Sequence, residues 1–162
     1  MAAFTGTPLN SDLYARQIGT LKADAIEVEG SLQSADYLYT HGATPGNGTG
    51  EVNLFRLPAG HIRVYPDLGR LVTTQTGASS TIDVGHRAYV DWLGVTQVED
   101  DNSLHDNGAS GSGALDVALA LPAAGYIDYN SRDGIDVFFS IDSGDIELND
   151  TVYLHVVYKR LR

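Results

Sequence analysis

Five histidines, His41, His61, His86, His105 and His155, are the first residues to test for chemistry. They stand singly, and none forms an HxH, HxxxH or HExxH pattern, so no helical or strand ligand pair for a metal emerges from spacing. His86 and Asp83 lie three apart in a strand-like segment and point to opposite faces, which argues against a local dyad. A serine hydrolase elbow, GxSxG, is absent. The chain has no cysteine, which removes thiolate metal sites, disulfides and a Cys nucleophile. TPGNGTG lacks the GK[ST] of a phosphate loop. No cofactor is expected, and the chain reads as a non-enzyme.

Acidic groups offer a second kind of chemistry. Glu99, Asp100, Asp101 and Asn102, with Asp106 and Asn107, supply enough oxygens for calcium, which takes roughly 6–8. The order of ligands is not that of an EF-hand, and a solvated charged surface loop over 98–113 is the favoured reading, with calcium as the minority one. Asn47-Gly48-Thr49 and Asn149-Asp150-Thr151 match the glycosylation triplet, but the start MAAFTGTPLNSDLY has neither the basic nor the apolar part of a secretory leader, so both read as chance.

The charge is unevenly placed. The formal net charge is −11. Residues 51–97 are balanced, with Arg56, Arg63, Arg70 and Arg87 against four acids, whereas from Val98 onwards twelve acids face Arg132, Lys159, Arg160 and Arg162. Such a field repels phosphate backbones, so nucleic acid is not an expected partner. No window approaches the roughly 18 apolar residues of a membrane helix, so no membrane partner is expected either. Arginine and tyrosine are favoured at protein contacts, and Arg56, Arg63, Tyr65, Arg70, Arg87 and Tyr89 are the candidate interface residues. The tyrosines Tyr37, Tyr39, Tyr65 and Tyr89 would also suit a carbohydrate platform.

The elements that must carry these groups are strands. From Glu51 to Val90, short apolar/polar alternations are separated by turn signals at LPAG, YPDLG and QTGASS, and the segment reads as a β-meander. Ile62 with Val64, then Ile82 with Val84, are inward pairs and so core, and Tyr89 to Leu93 is a further strand that contributes Trp92, the single tryptophan. Leu115 to Leu121, Tyr126 to Asn130, Ile135 to Ile141 and Thr151 to Tyr158 follow, the last with Val152, Leu154, Val156 and Tyr158 on one face. LPAGHIRVYPDLGR and LPAAGYIDYNSRDG echo each other, a shared strand and turn solution rather than a duplication. Residues 1–50 are less regular: a short helix after Ser11-Asp12, a brief strand at 25–30 and a turn-rich loop at 41–50. An extended segment of about 25 residues spans roughly 80 Å, enough for an arm reaching a neighbouring subunit, and an ordinary edge strand plus loops is the alternative. The expectation is an all-β chain, an antiparallel sandwich or jelly roll of about eight to nine strands over 51–162, with an N-terminal arm and loop over 1–50.

The run NLFRLPAGHIRVYPDLGRLVTTQTGASSTIDVGHRAYV, with YIDYNSRDGIDVFFSI and TVYLHVVY, resembles small virion structural proteins of tailed bacteriophages, of the head decoration or cement type. The resemblance implies a protein made in the host cytoplasm and placed on the capsid exterior. It implies the major capsid protein as partner, with self-association as a dimer or trimer. A tail or neck component (fibre, adaptor or receptor-binding module) and a carbohydrate-binding β-sandwich are the alternatives. No functional residue is transferred by it.

Overall fold

The computed structural model describes residues 32–42, 50–74, 81–109, 114–119, 124–143, 146 and 148–161. The helix expected after Ser11-Asp12, the strand at 25–30 and most of the loop at 41–50 lie outside them. The described residues form twelve strands: β1 (Leu32–Thr40), β2 (Glu51–Leu57), β3 (Gly60–Val64), β4 (Arg70–Thr73), β5 (Thr81–His86), β6 (Tyr89–Val90), β7 (Thr96–Gln97), β8 (Asp100–Ala109), β9 (Leu115–Ala118), β10 (Ile127–Ser131), β11 (Ile135–Ser143) and β12 (Thr151–Leu161). The alternation in the sequence explains most of them. In β12, Val152, Leu154, Val156 and Tyr158 are buried while the residues between them are half-buried, the period of two that a sheet with one face on the core requires.

All pairings are antiparallel. β12 is the axis of the first sheet. On one edge it pairs with β1 over nine residues, Leu32 opposite Lys159 through Thr40 opposite Thr151. Its other edge is shared by β4, opposite Val152 to His155, and then β3, opposite Tyr158 to Leu161. β3 and β4 are thus one rib, interrupted where Tyr65 to Gly69 bulge out opposite Val156 and Val157. Pro66 opens a single 3-10 turn there, and the Tyr65 N–H donates to the Val157 carbonyl at 2.9 Å. The outer neighbour of this rib is likewise split: β9 pairs with β4 and β10 with β3. The second sheet runs β2–β11–β5–β8.

Counting each interrupted rib once and setting aside the small β6–β7 hairpin, eight long strands remain, four per sheet. They pair first with eighth (β1·β12), second with seventh (β2·β11), third with sixth (β3/β4 with β9/β10) and fourth with fifth (β5·β8), alternating between sheets. This nested pairing is a complete jelly roll. The core lies between the sheets, with Ile62, Val64, Leu71, Val152, Leu154 and Val156 from the first meeting Leu54, Leu57, Ile82, Val84, Leu104, Val137 and Phe139 from the second. Each such side chain contributes about 1.5–3 kcal/mol of burial free energy.

Two expectations change and one alternative is favoured. The segment 51–90 contains the expected strands but is not a meander: β2 and β5 lie in the second sheet, β3 and β4 form one rib of the first, and among the described residues none of these four pairs with another. Pro58-Ala59 carries the chain from one sheet to the other, and Gly60, at φ +112°, supplies the conformation that a residue with a Cβ resists. The acidic stretch expected as a loop is largely β8, anchored by Leu104, which is fully buried against the core. Its alternation is masked in sequence by irregular register against β5, with shifts on both sides of Val84. Finally, of the two readings of residues 1–50, an arm or an edge strand with loops, β1 fits the edge strand, since it pairs with β12 throughout. The two echoing sequence spans turn out to face each other, β3 and β10 pairing in register from Gly60 opposite Ser131 to Val64 opposite Ile127.

Among the described glycines, Gly85 lies closest to a neighbouring strand. A Cβ there would land on the backbone of Asp100 and Asp101. Gly85→Ala must therefore push β8 off β5, and should destabilise the protein by about 1–3 kcal/mol in urea unfolding. An unchanged midpoint would contradict this placement of β8.

Candidate interaction surface

Antiparallel pairing sets residues of remote sequence side by side on the outer faces, and this decides where the arginines end. Arg63 on β3 stands directly opposite Asp128 on β10, and its Nε and Nη2 donate to the two carboxylate oxygens at 2.7 and 2.8 Å. Its guanidinium also lies 3.6 Å above the centre of the Tyr126 ring. Further along the same rib, Arg70 on β4 donates its Nε to Asp116 on β9 at 2.5 Å, across a diagonal of the register. These two guanidinium groups hold the carboxyls of Asp128 and Asp116 below their ordinary range.

On the second sheet Arg56 and Asp136 form the same kind of fork, with both distances 2.6 Å. Arg87, just past β5, is the most engaged. It donates to Glu51 at 2.7 Å, to Glu99 at 3.0 Å and to the Asn53 side-chain oxygen at 3.0 Å. Beneath it lies Phe138. Val137 and Phe139 belong to the core, so Phe138 between them faces outwards, yet it is fully buried because the Arg87 guanidinium covers its ring at 3.9 Å.

The candidate arginines therefore do not share a face. Arg63 and Arg70 lie on the outside of the first sheet, Arg56 and Arg87 on the outside of the second, and all four are clasped by carboxylates, mostly from the acidic C-terminal half. Nor do the tyrosines form a platform. Tyr37 and Tyr39 turn towards the core, Tyr39 meeting Phe139 edge-on at 5.4 Å and His41 Nδ1 through its hydroxyl at 2.9 Å. Tyr89 packs edge-on against both His86 and Tyr129, at 5.4 and 6.1 Å, and burial raises its pKa. Tyr65 begins the bulge between β3 and β4. Among the described residues no group of three or more His, Asp or Glu is placed to hold a metal, and Glu99 of the suggested calcium set is engaged with Arg87.

The strand read over Tyr89 to Leu93 stops at Val90, and Trp92 beyond it is 58% exposed, accompanied by Leu93, Val95 and Val98, all exposed. Trp92, Leu93 and Val95 sit on the turn of the β6–β7 hairpin, and Val98 directly follows it. Asp91 organises it: one carboxylate oxygen accepts the Leu93 and Val95 N–H groups, both at 2.9 Å, and the other accepts the Gln97 amide at 2.9 Å. The Gly94 N–H closes the turn onto the Asp91 carbonyl at 3.0 Å, with φ at +79°. These donors pull the Asp91 pKa below its ordinary value. The hairpin is tied to the sandwich by the bridge between Asp91 and Ser131 and by the Arg132 N–H on the Val90 carbonyl. The signal in sequence was the Asp-Trp-Leu-Gly turn chemistry, which competes with the strand reading of an apolar run.

Removal of Arg87 should cost more than removal of an exposed pair. Arg87→Ala strips the cover from Phe138 and leaves two carboxylates without their cation, an expected loss of about 2 kcal/mol in urea unfolding. Arg56→Ala should cost at most about 1 kcal/mol. Equal costs would deny Arg87 its covering role.

No protein-family model matches the chain, and a search of curated proteins finds no match in sequence. Solved structures are similar in fold. A chain in the capsid of Ralstonia phage GP4 superposes with a TM-score of 0.62 at 15% identity, over 83% of this chain and 87% of that one. A chain in the capsid asymmetric unit of cyanophage Pam1 gives 0.54 at 12% identity, over 82% and 87%. At such identities the likeness is one of fold, and it is the jelly roll as a whole that this chain has in common with these two capsid chains.

Proposed function

We propose that this chain is a non-enzymatic structural protein of a tailed-phage virion, a decoration or cement protein seated on the outside of the head and bound to the major capsid protein. The observation that carries the reading is the extent of the shared fold: more than four-fifths of this chain and of each capsid chain correspond, so neither side has a large domain left over to perform a different task. The surface chemistry is consistent with it. The strongest side-chain interactions on both outer faces are spent within the chain, stiffening the sandwich, and tight ion-pair forks with exposed apolar groups suit a rigid bracing element better than a moving one. Many copies on one shell multiply a modest contact, since each standard interface buries about 800 Å² per partner and neighbouring copies act together.

Cosedimentation tests this. Shells assembled without this chain should bind the purified protein saturably, in a number that scales with the shell surface, and should resist heat or chelation better once bound. Absence of binding to such shells would overturn the reading, and binding of a few copies at a single vertex would favour the neck or tail assignment instead.

A further inference from the structure

The β6–β7 hairpin has no task in the fold that would require its apolar residues. Trp92, Leu93, Val95 and Val98 are exposed at 58, 87, 53 and 79%, four of them within seven residues, whereas single exposed apolar side chains are ordinary and clusters mark contact sites. The hairpin is also ordered in advance. Three N–H groups on one carboxylate, a closed turn at Gly94 and the bridge to Ser131 hold the tip in one shape, so little conformational entropy is left to lose on binding. A rigid, exposed tryptophan is the side chain most often found at the centre of a binding hot spot.

Charge selects the occupant. Of the residues that follow the tip, Asp100 and Asp101 are acidic and exposed, whereas Glu99 is paired with Arg87 and Asp133 on the adjoining turn with Arg132. A second copy of this chain meeting the hairpin about a two-fold axis would bring these acids face to face, between two chains each of formal charge −11. A partner rimmed by Lys and Arg meets no such barrier. We infer that the hairpin from Asp91 to Val98 is the seating element of this chain, inserting Trp92 and Leu93 into an apolar pocket with a basic rim on the shell protein. This rests on the capsid-binding reading and adds the surface through which binding occurs.

The test uses the single tryptophan. The full chain is prepared with 5-hydroxytryptophan at position 92, which is excited selectively beside the tryptophans of other proteins, and titrated with shells lacking this chain. The expected result is a blue-shifted emission and protection from acrylamide on binding. Trp92→Ala and Leu93→Ser, both at exposed positions, should each keep the unfolding midpoint and lower shell affinity by about thirty-fold. Leu68→Ser, an equally exposed apolar position on the 3-10 turn of the first sheet, should leave affinity unchanged. Added salt should slow association. Shell binding that persists in both hairpin variants, with position 92 still open to acrylamide, would overturn the inference and leave the capsid reading intact. Failure of the unaltered chain to bind would remove both. Protection of position 92 in the chain alone, growing with its concentration, would assign the hairpin to a second copy and overturn the inference.

Discussion

The structure depends on one constraint: β12 must be hydrogen-bonded along both edges, by β1 on one side and by the interrupted rib β3/β4 on the other. Its partners come from about 80 to 130 residues earlier in the chain. Once they are in place the remaining strands can only close as nested pairs, second with seventh, third with sixth and fourth with fifth, and each pair buries one face against the other sheet. Such contacts are remote in sequence, and loop-closure entropy has to be met before they reward the chain, so folding should be slow for its size.

The same nesting accounts for the charge distribution. A charge-balanced middle segment and an acidic C-terminal half look like two surfaces when read along the chain. In the fold they interleave: Arg56 meets Asp136, Arg63 meets Asp128, Arg70 meets Asp116, and Arg87 meets Glu99 as well as Glu51. The arginines thus join the early and late strands rather than offering a free basic face. Arg87 does most, because it also seals Phe138, a second small apolar site on the outside of the second sheet.

Much of the fold was legible before the structure. The inward pairs Ile62/Val64 and Ile82/Val84 and the run Val152 to Tyr158 are core, because a period of two identifies a buried face directly. Partners were not legible, since alternation says which side of a strand is buried and nothing about the strand next to it; hence a meander was read where strands alternate between sheets. β8 escaped because its register against β5 slips and only Leu104 betrays the core side within an acidic stretch. The strand over Tyr89 to Leu93 is cut short for the opposite reason: its apolar residues read as a strand, whereas the hydrogen bonds of Asp91 make a turn that carries Trp92 outwards.

The division of labour that results is simple. Sandwich and outer-face ion pairs provide stiffness, and the hairpin gathers four exposed apolar side chains within seven residues. A reconstruction by electron cryo-microscopy of the particle carrying this chain tests the account most directly. It predicts jelly-roll density in many copies over the outside of the shell, with the end of the sandwich that bears Trp92 and Leu93 against the shell protein. Density confined to the neck or tail, or a shell contact made by the opposite end of the sandwich with Trp92 in solvent, would contradict it.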